Sequence, residues 1–188
     1  MRRLLKLLPV VLLISAFSAK ADIALSNSEL LALAQLDAQT MSLIDWKIGD
    51  TMNYDMSLGG FIPGKMVKTV SSEEGDAIWI VQNIDLTIQK QKVEMLMNRS
   101  DGKILKMRVD GKEQTIPNDK IEIVSQEASE ITVKAGHFEA IHVVIKSEQI
   151  KRAEVWINPS DTAMDGTLKQ VISAQMEITA ELTSFTRN

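Results

Sequence analysis

The stretch "KVEMLMNRSDGKILKMRVDGKEQTI", residues 92–116, decides the fold because it places two Asp-Gly pairs between runs of strand-forming residues. Asp101-Gly102 and Asp110-Gly111 are each flanked by runs of strand-like residues. Asp-Gly is favoured at tight hairpin turns, in which both central residues take a positive φ. The stretch therefore predicts three consecutive antiparallel strands.

The same pattern of short strand-like runs and turn residues continues on both sides of this stretch. Short alternating runs follow "WKIGD" (46–50) and are separated by Gly, Asp and Asn, which is typical of an antiparallel meander. We expect about nine or ten strands, with "KIEIV" (120–124) and "EITV" (130–133) counted separately and a helix as an alternative over 168–176. The predicted class is mainly β (α+β), a curved antiparallel meander or open half-barrel.

The first residues, "MRRLLKLLPVVLLISAFSAKAD", combine a basic start, an apolar run and small residues at Ala19 and Ala21. This layout is typical of a Sec-type signal peptide, 1–21, cleaved after Ala21. The apolar run is shorter than the 20 or so residues that a membrane-spanning helix needs, so no integral span is expected after cleavage. Because the chain has no cysteine, it has no lipobox, and we expect a soluble periplasmic or secreted domain over 22–188.

The charge balance argues against nucleic acid as a partner. The chain has a net charge of −4, and cleavage would remove four basic residues and no acids, which leaves −8. The basic residues removed are Arg2, Arg3, Lys6 and Lys20. An acidic protein is repelled by phosphate backbones and by anionic lipid surfaces.

The segment "SNSELLALAQLDAQTMSLIDW", residues 26–46, predicts one helix over about 27–42 that packs on the sheet. Ser26 and Glu29 have the spacing of a capping box, and Leu30 and Leu33 recur at a helical interval. Such a helix could cover a cavity or bind a partner. It could equally serve only to close the core.

Both histidines lie in "VKAGHFEAIHVVI", residues 133–145. His137 and His142 are separated by an odd number of residues, so on one regular strand they point to opposite faces. Only Glu139 is close enough to join either of them, whereas a metal site usually needs three or four converging ligands. The sequence therefore predicts no metal site and no cofactor.

Few residues have the arrangement that catalysis requires. No serine lies in a Gly-x-Ser-x-Gly elbow, and "DTAMDG" (161–166) lacks the alternating acids of a calcium loop. Carboxylates that could support a hydrolase fall in predicted turns, where they would also be ordinary solvated acids. These are Glu73, Glu74, Asp161 and Asp165. We expect a protein that is not an enzyme.

Methionines concentrate on adjacent predicted strands. Because methionine side chains adapt to irregular apolar shapes, they could line a cavity for a lipid or acyl chain. Ordinary core packing would explain the same residues. The candidate cavity residues are Met95, Met97, Leu105 and Met107 on the strands, with Leu30 and Leu33 on the helix.

Several segments together resemble a family of uncharacterised secreted bacterial domains, a domain of unknown function, over most of residues 44–185. They are "WKIGD" with Tyr54, "DGKILKMRVDGKE", "ITVKAGHFEAIHV", "EVWINP" and "DGTLK". The structural residues of this pattern are Trp46, Gly136, Phe138, Trp156, Pro159 and Gly166. Gly136 is expected in a turn, Phe138 in the core and Trp156 beside Val144. The resemblance implies no activity.

The predicted layout also resembles that of periplasmic lipoprotein carriers. From it we expect a non-catalytic binding protein that holds a lipid or acyl chain in the concave face of the sheet. The alternative is an envelope module that binds another protein, through an exposed sheet edge or the helix near 28–42.

Overall fold

The computed structural model describes residues 46–116, 122–147, 150–173 and 176–188, and these form one antiparallel sheet of eleven strands. The strands are β1 (Thr51–Leu58), β2 (Ile62–Glu74), β3 (Ala77–Leu86), β4 (Gln89–Asn98), β5 (Ile104–Val109), β6 (Lys112–Glu113), β7 (Glu122–Val133), β8 (Gly136–Lys146), β9 (Arg152–Ile157), β10 (Thr167–Ser173) and β11 (Glu177–Thr186).

The strand order is β6-β5-β4-β3-β2-β1-β11-β10-β9-β8-β7. The sheet therefore consists of two meanders that are joined where β1 pairs with β11, and its two ends are β6 and β7. The prediction of a mainly β, antiparallel and open sheet is confirmed. The signal peptide and the helix over 27–42, with Leu30 and Leu33, lie outside the described residues.

The turn predicted at Asp110-Gly111 is confirmed. It joins β5 to β6, and the two residues have φ values of 51° and 76°, the positive values that this kind of turn demands. Asp101-Gly102 lies in the longer connection between β4 and β5, and there only Gly102 has a positive φ, 67°.

One face of the sheet carries the core. In β1 every second side chain is buried, as alternation along a strand requires. We call this side of the sheet the inner face and the opposite side the outer face. Tyr54 on the inner face lies opposite Met66 of β2 and Leu182 of β11, and all three are buried. The inner-face residues of β1 are Met52, Tyr54, Met56 and Leu58.

The far end of the β7–β8 hairpin returns towards the middle of the sheet. Ala135 N donates a hydrogen bond to Leu182 O of β11 (3.1 Å), and Lys134 forms an ion pair with Asp55 of β1. In a flat sheet β7 would lie four strand spacings, roughly 19 Å, from β11. The sheet must therefore curve strongly at this end.

One prediction about individual strands was wrong, and one open alternative is resolved. "KIEIV" and "EITV" are not separate strands, because the described residues from Glu122 to Val133 form one strand that pairs with β8 throughout. The residues between them include no Gly, Pro or Asn that would end it. The helix considered for 168–176 is replaced by β10, whose alternating burial follows the period of a strand.

Candidate functional site

The three methionines proposed for a cavity come together on the inner face. Met95 of β4 lies directly opposite Met107 of β5, and Met97 lies one step along β4 on the same side. All three are buried, and so are Met52 and Met66. The inner face is thus rich in methionine, and these side chains have almost no surface accessible to water.

Leu105 does not join this group. The register between β4 and β5 shifts at Leu96, so that Met97 lies opposite Ile104 instead of Leu105. The extra residue is a β-bulge, which turns Leu105 away from the core and leaves it 47% exposed. Ile104 packs against the core in its place.

Gln82 is a polar residue within this apolar face. It lies between Ile80 and Ile84 along β3, opposite Lys68 of β2 and Val93 of β4. Its exposure is 0%, and neither Nε2 nor Oε1 has a hydrogen-bond partner in the described part of the chain. Burying such a group without a partner costs about 1–3 kcal/mol. The fold therefore leaves both the donor and the acceptor of this amide unsatisfied.

Two glutamines of β4, Gln89 and Gln91, lie near Gln82, and we call the three together the polar strip. Gln91 is buried on the inner face opposite Ile84, and Gln89 lies opposite Leu86. The Oε1 atom of Gln89 is buried without a hydrogen bond from any described residue. Because Gln91 is diagonal to Gln82 across the β3–β4 pair, the two amides are within reach of one extended molecule.

A buried ion pair borders the strip. Lys68, next to Gln82 on the inner face, donates to Asp165, and the exposed fractions of the two side chains are 5% and 3%. The ammonium nitrogen also lies 5.8 Å from the ring centre of Trp46, within the range of a cation–π interaction. The charge of Lys68 is thus compensated inside the protein.

Asp165 is positioned by the connection between β9 and β10. Gly166 has φ 71°, and a Cβ atom there would lie 2.2 Å from the Pro159 nitrogen, so only glycine fits. Asn158 N donates to Gly166 O (2.8 Å) and closes the loop. Asp161 accepts a hydrogen bond from Asn158 Nδ2 (2.8 Å). These contacts give the loop a structural role beside the ion pair.

Sequence reasoning missed Lys68 and Gln82, although a signal for both was present. In "KMVKTV" the lysine falls in phase with Met66 and Val70, and in "IWIVQNIDL" the glutamine falls in phase with four isoleucine and leucine positions. A polar residue in phase with buried neighbours on a strand must itself point into the core.

The two histidines occupy different faces of β8. His142 stacks on Trp156 of β9, with ring centres 4.3 Å apart and planes within 8° of parallel. Trp156 therefore contacts His142, which lies directly opposite it, while Val144 lies opposite Glu154. His137 is exposed near the end of the hairpin, where its Nδ1 lies 2.9 Å from Thr132 Oγ1.

The remaining motif residues lie around the hairpin end. Gly136 has φ 147°, a value that favours glycine, and Phe138 packs partly buried against the core. Glu139, the one acid considered as a partner of the histidines, is exposed and lies opposite Glu130. In the described ranges no three His, Asp or Glu side chains converge as a metal ion would require.

The turn acids have local partners. Glu74 accepts hydrogen bonds from Lys106 (2.8 Å) and Trp79 (3.0 Å), and these two bonds, that of Lys106 first, lower its pKa below the ordinary value. Glu73 lies 2.5 Å from Arg99. The lowered pKa holds the Glu74 carboxylate in its charged form at the surface, whereas a general acid needs a raised pKa.

Comparison with known proteins leaves the family open. No family model matches the chain, and no curated protein matches it. The chain is similar to a solved structure, the crystal structure of MucB, with a TM-score of 0.42 and 11% sequence identity, over 77% of this chain and 55% of that one. It thus spans about half the length of MucB.

Among the residues that the structure describes, no helix is long and apolar enough to cross a lipid bilayer. The resemblance to a family of secreted domains stays a prediction.

Proposed function

We propose that the protein is an exported, non-catalytic binding protein that holds an acyl chain against its inner face. The observation that carries this proposal is Gln82, a fully buried amide whose donor and acceptor are both unsatisfied among apolar neighbours. A core selected only for stability would gain by placing an apolar side chain there. A bound molecule that forms hydrogen bonds with this amide would satisfy both its donor and its acceptor.

The surroundings define the chemistry of this ligand. Gln82 offers one donor and one acceptor, so the head group is uncharged and both donates and accepts hydrogen bonds. A charged head is not required, because Asp165 already neutralises Lys68. The methionines Met95, Met97 and Met107 provide an adaptable apolar surface for the chain. An acyl glycerol or acyl amide has these properties.

Binding requires the inner face to open. Gln82, Met95 and Met107 have no accessible surface, so a ligand must take the place of the groups that now pack against them. The unsatisfied amide makes the closed state less stable by about 1–3 kcal/mol than it would be with an apolar residue, and this lowers the free energy of opening.

The experiment uses the chain produced in a bacterial host, by native mass spectrometry and by titration with two probes. We expect co-purified lipid mass, and binding of mono-oleoyl glycerol about tenfold tighter than that of oleate, a difference of about 1.4 kcal/mol. Gln82→Met should remove this preference and raise the free energy of unfolding by about 1–3 kcal/mol.

The matched control is Ile84→Met, which places a methionine one step along the same face of β3 but removes no polar group. It should leave the preference for the uncharged probe unchanged. The proposal is wrong if neither probe binds and no lipid co-purifies, or if Gln82→Met is less stable than the unmodified chain.

A further inference from the structure

We infer that β7 is a docking strand for an extended peptide of alternating apolar and basic residues, contributed by another protein. The inference is independent of a ligand on the inner face. β7 is the last strand in the order and pairs only with β8 in the described part of the chain. Its first seven residues, 122–128, are exposed on both faces. One row of its backbone groups therefore faces outward.

The usual protections of a sheet edge are weak here. Edge strands are commonly short, or carry proline or inward-pointing lysine, because an open row of N–H and C=O groups pairs readily with other chains. The opposite edge follows this rule, since β6 has only two residues. β7 has twelve residues, with no proline, lysine or arginine. Its one irregularity is a bulge between Ile123 and Ser125.

The charge of β7 selects the partner. The strand carries three acids, Glu122, Glu127 and Glu130, and no basic residue. A second copy pairing through the same edge would bring like charges together, which disfavours self-association. A strand with lysine or arginine would instead gain complementary contacts. The acidic edge therefore fits a basic partner segment better than another copy of this chain.

The acids have partners on β8 but remain accessible. Glu122 lies 3.0 Å from Lys146, and Glu127 lies 3.4 Å from His142. Their side chains are nevertheless 65% and 68% exposed, so each can accept a second cation from outside. By register with β8 they share the outer face of the sheet, because Lys146 and His142 do.

Apolar side chains lie at the same end of the strand. Ile123 lies opposite Ile145, on the face opposite to that of Glu122, and Val124 is 53% exposed. Because side chains alternate along a strand, an added peptide would direct one set towards the acids and the other towards Ile123. This is the pattern of a segment in which basic and apolar residues alternate.

The test uses a ten-residue peptide of alternating valine and lysine, with binding followed by fluorescence anisotropy and the site located by hydrogen exchange of the full chain. We expect binding that slows exchange in β7 and leaves β6 unaffected. A copy of the peptide N-methylated at every residue should not bind, because it retains no N–H group for the ladder hydrogen bonds on either edge.

Reversing the charge of two residues of β7 distinguishes strand pairing from nonspecific electrostatic attraction. The double variant Glu122→Lys, Glu127→Lys should bind the valine–lysine peptide about tenfold more weakly and should acquire binding to a valine–glutamate peptide. The inference is overturned if the N-methylated peptide binds as well as its parent, if protection appears on another strand, or if neither unmodified peptide binds. A dimer of the chain joined through β7 would also overturn it.

Discussion

β3 and β7 are both long strands of the same sheet, yet β3 contributes to the core along its whole length, whereas β7 contributes only its end, where Val133 is buried. In β3 the apolar residues fall in phase, so one side is buried at every second position. In β7 they fall out of phase, and seven consecutive residues are exposed. Phase along the strand, more than content of β-branched residues, thus separates a core strand from an edge strand.

The largest expected effect comes from placing the same charge on each strand. Ile80→Lys puts an ammonium group at a position with no exposure on the inner face, and we expect a loss of more than about 4 kcal/mol or failure to fold. Urea unfolding followed by circular dichroism measures it.

Val124→Lys is the matched change on the edge. Val124 is exposed, so the free energy of unfolding should change by less than about 0.5 kcal/mol. Equal losses for the two lysine variants would show that β7 belongs to the core and would remove the contrast between the strands.

Ion pairs give a second contrast. Asp165→Asn leaves the buried ammonium group of Lys68 without its carboxylate, and we expect a loss of about 3–5 kcal/mol. Glu122→Gln breaks the exposed pair with Lys146 on the edge and should cost less than about 1 kcal/mol. Thermal unfolding of both variants and of the parent chain measures the two losses. A loss for Asp165→Asn as small as that for Glu122→Gln would contradict the burial of the Lys68–Asp165 pair.

The smallest effect concerns two carboxylates that contact the same imidazole. Glu154 of β9 lies 3.1 Å from His142 Nε2, and Glu127 of β7 lies 3.4 Å from His142 Nδ1. Hydrogen bonds from Arg152 and then His142 lower the pKa of Glu154 from its ordinary value of 4.5. Its charged form therefore stabilises the fold above about pH 4.5, and this contribution is lost as the pH falls below that value.

Glu154→Gln should consequently cost below about 1 kcal/mol at pH 6, and the difference from the parent chain should shrink towards pH 3. Glu127→Gln, on the exposed edge, should change stability less at every pH. Urea unfolding at several pH values tests both variants. A loss of stability in Glu154→Gln that grows as the pH falls would contradict the lowered pKa of Glu154.

The overall class and several turns could be predicted because they depend on local chemistry. The positive φ values at Asp110 and Gly111 follow from the residues themselves, whatever surrounds them. That β7 is one continuous strand could not be predicted. Its continuity depends on pairing with β8, and the sequence of β7 alone does not identify this partner.

The position of the bulge could not be predicted either. Leu105 and Met107 are two residues apart and share a face in a regular strand, but the extra residue in the pairing with β4 moves Leu105 outside. The stacking of Trp156 on His142 likewise depends on register between distant strands. Gln82 could have been found from phase, but its lack of a partner needed coordinates.

The pairing of β1 with β11 has a consequence for how the chain is made. The first and last described strands meet in the middle of the sheet, about 130 residues apart in sequence, as in the hydrogen bond from Asn53 Nδ2 to Ser184 Oγ. Contacts of such high contact order form slowly. During synthesis one edge of β1 remains unpaired until β11 has been made, so this edge is the place at which a chaperone would bind or aggregation would begin.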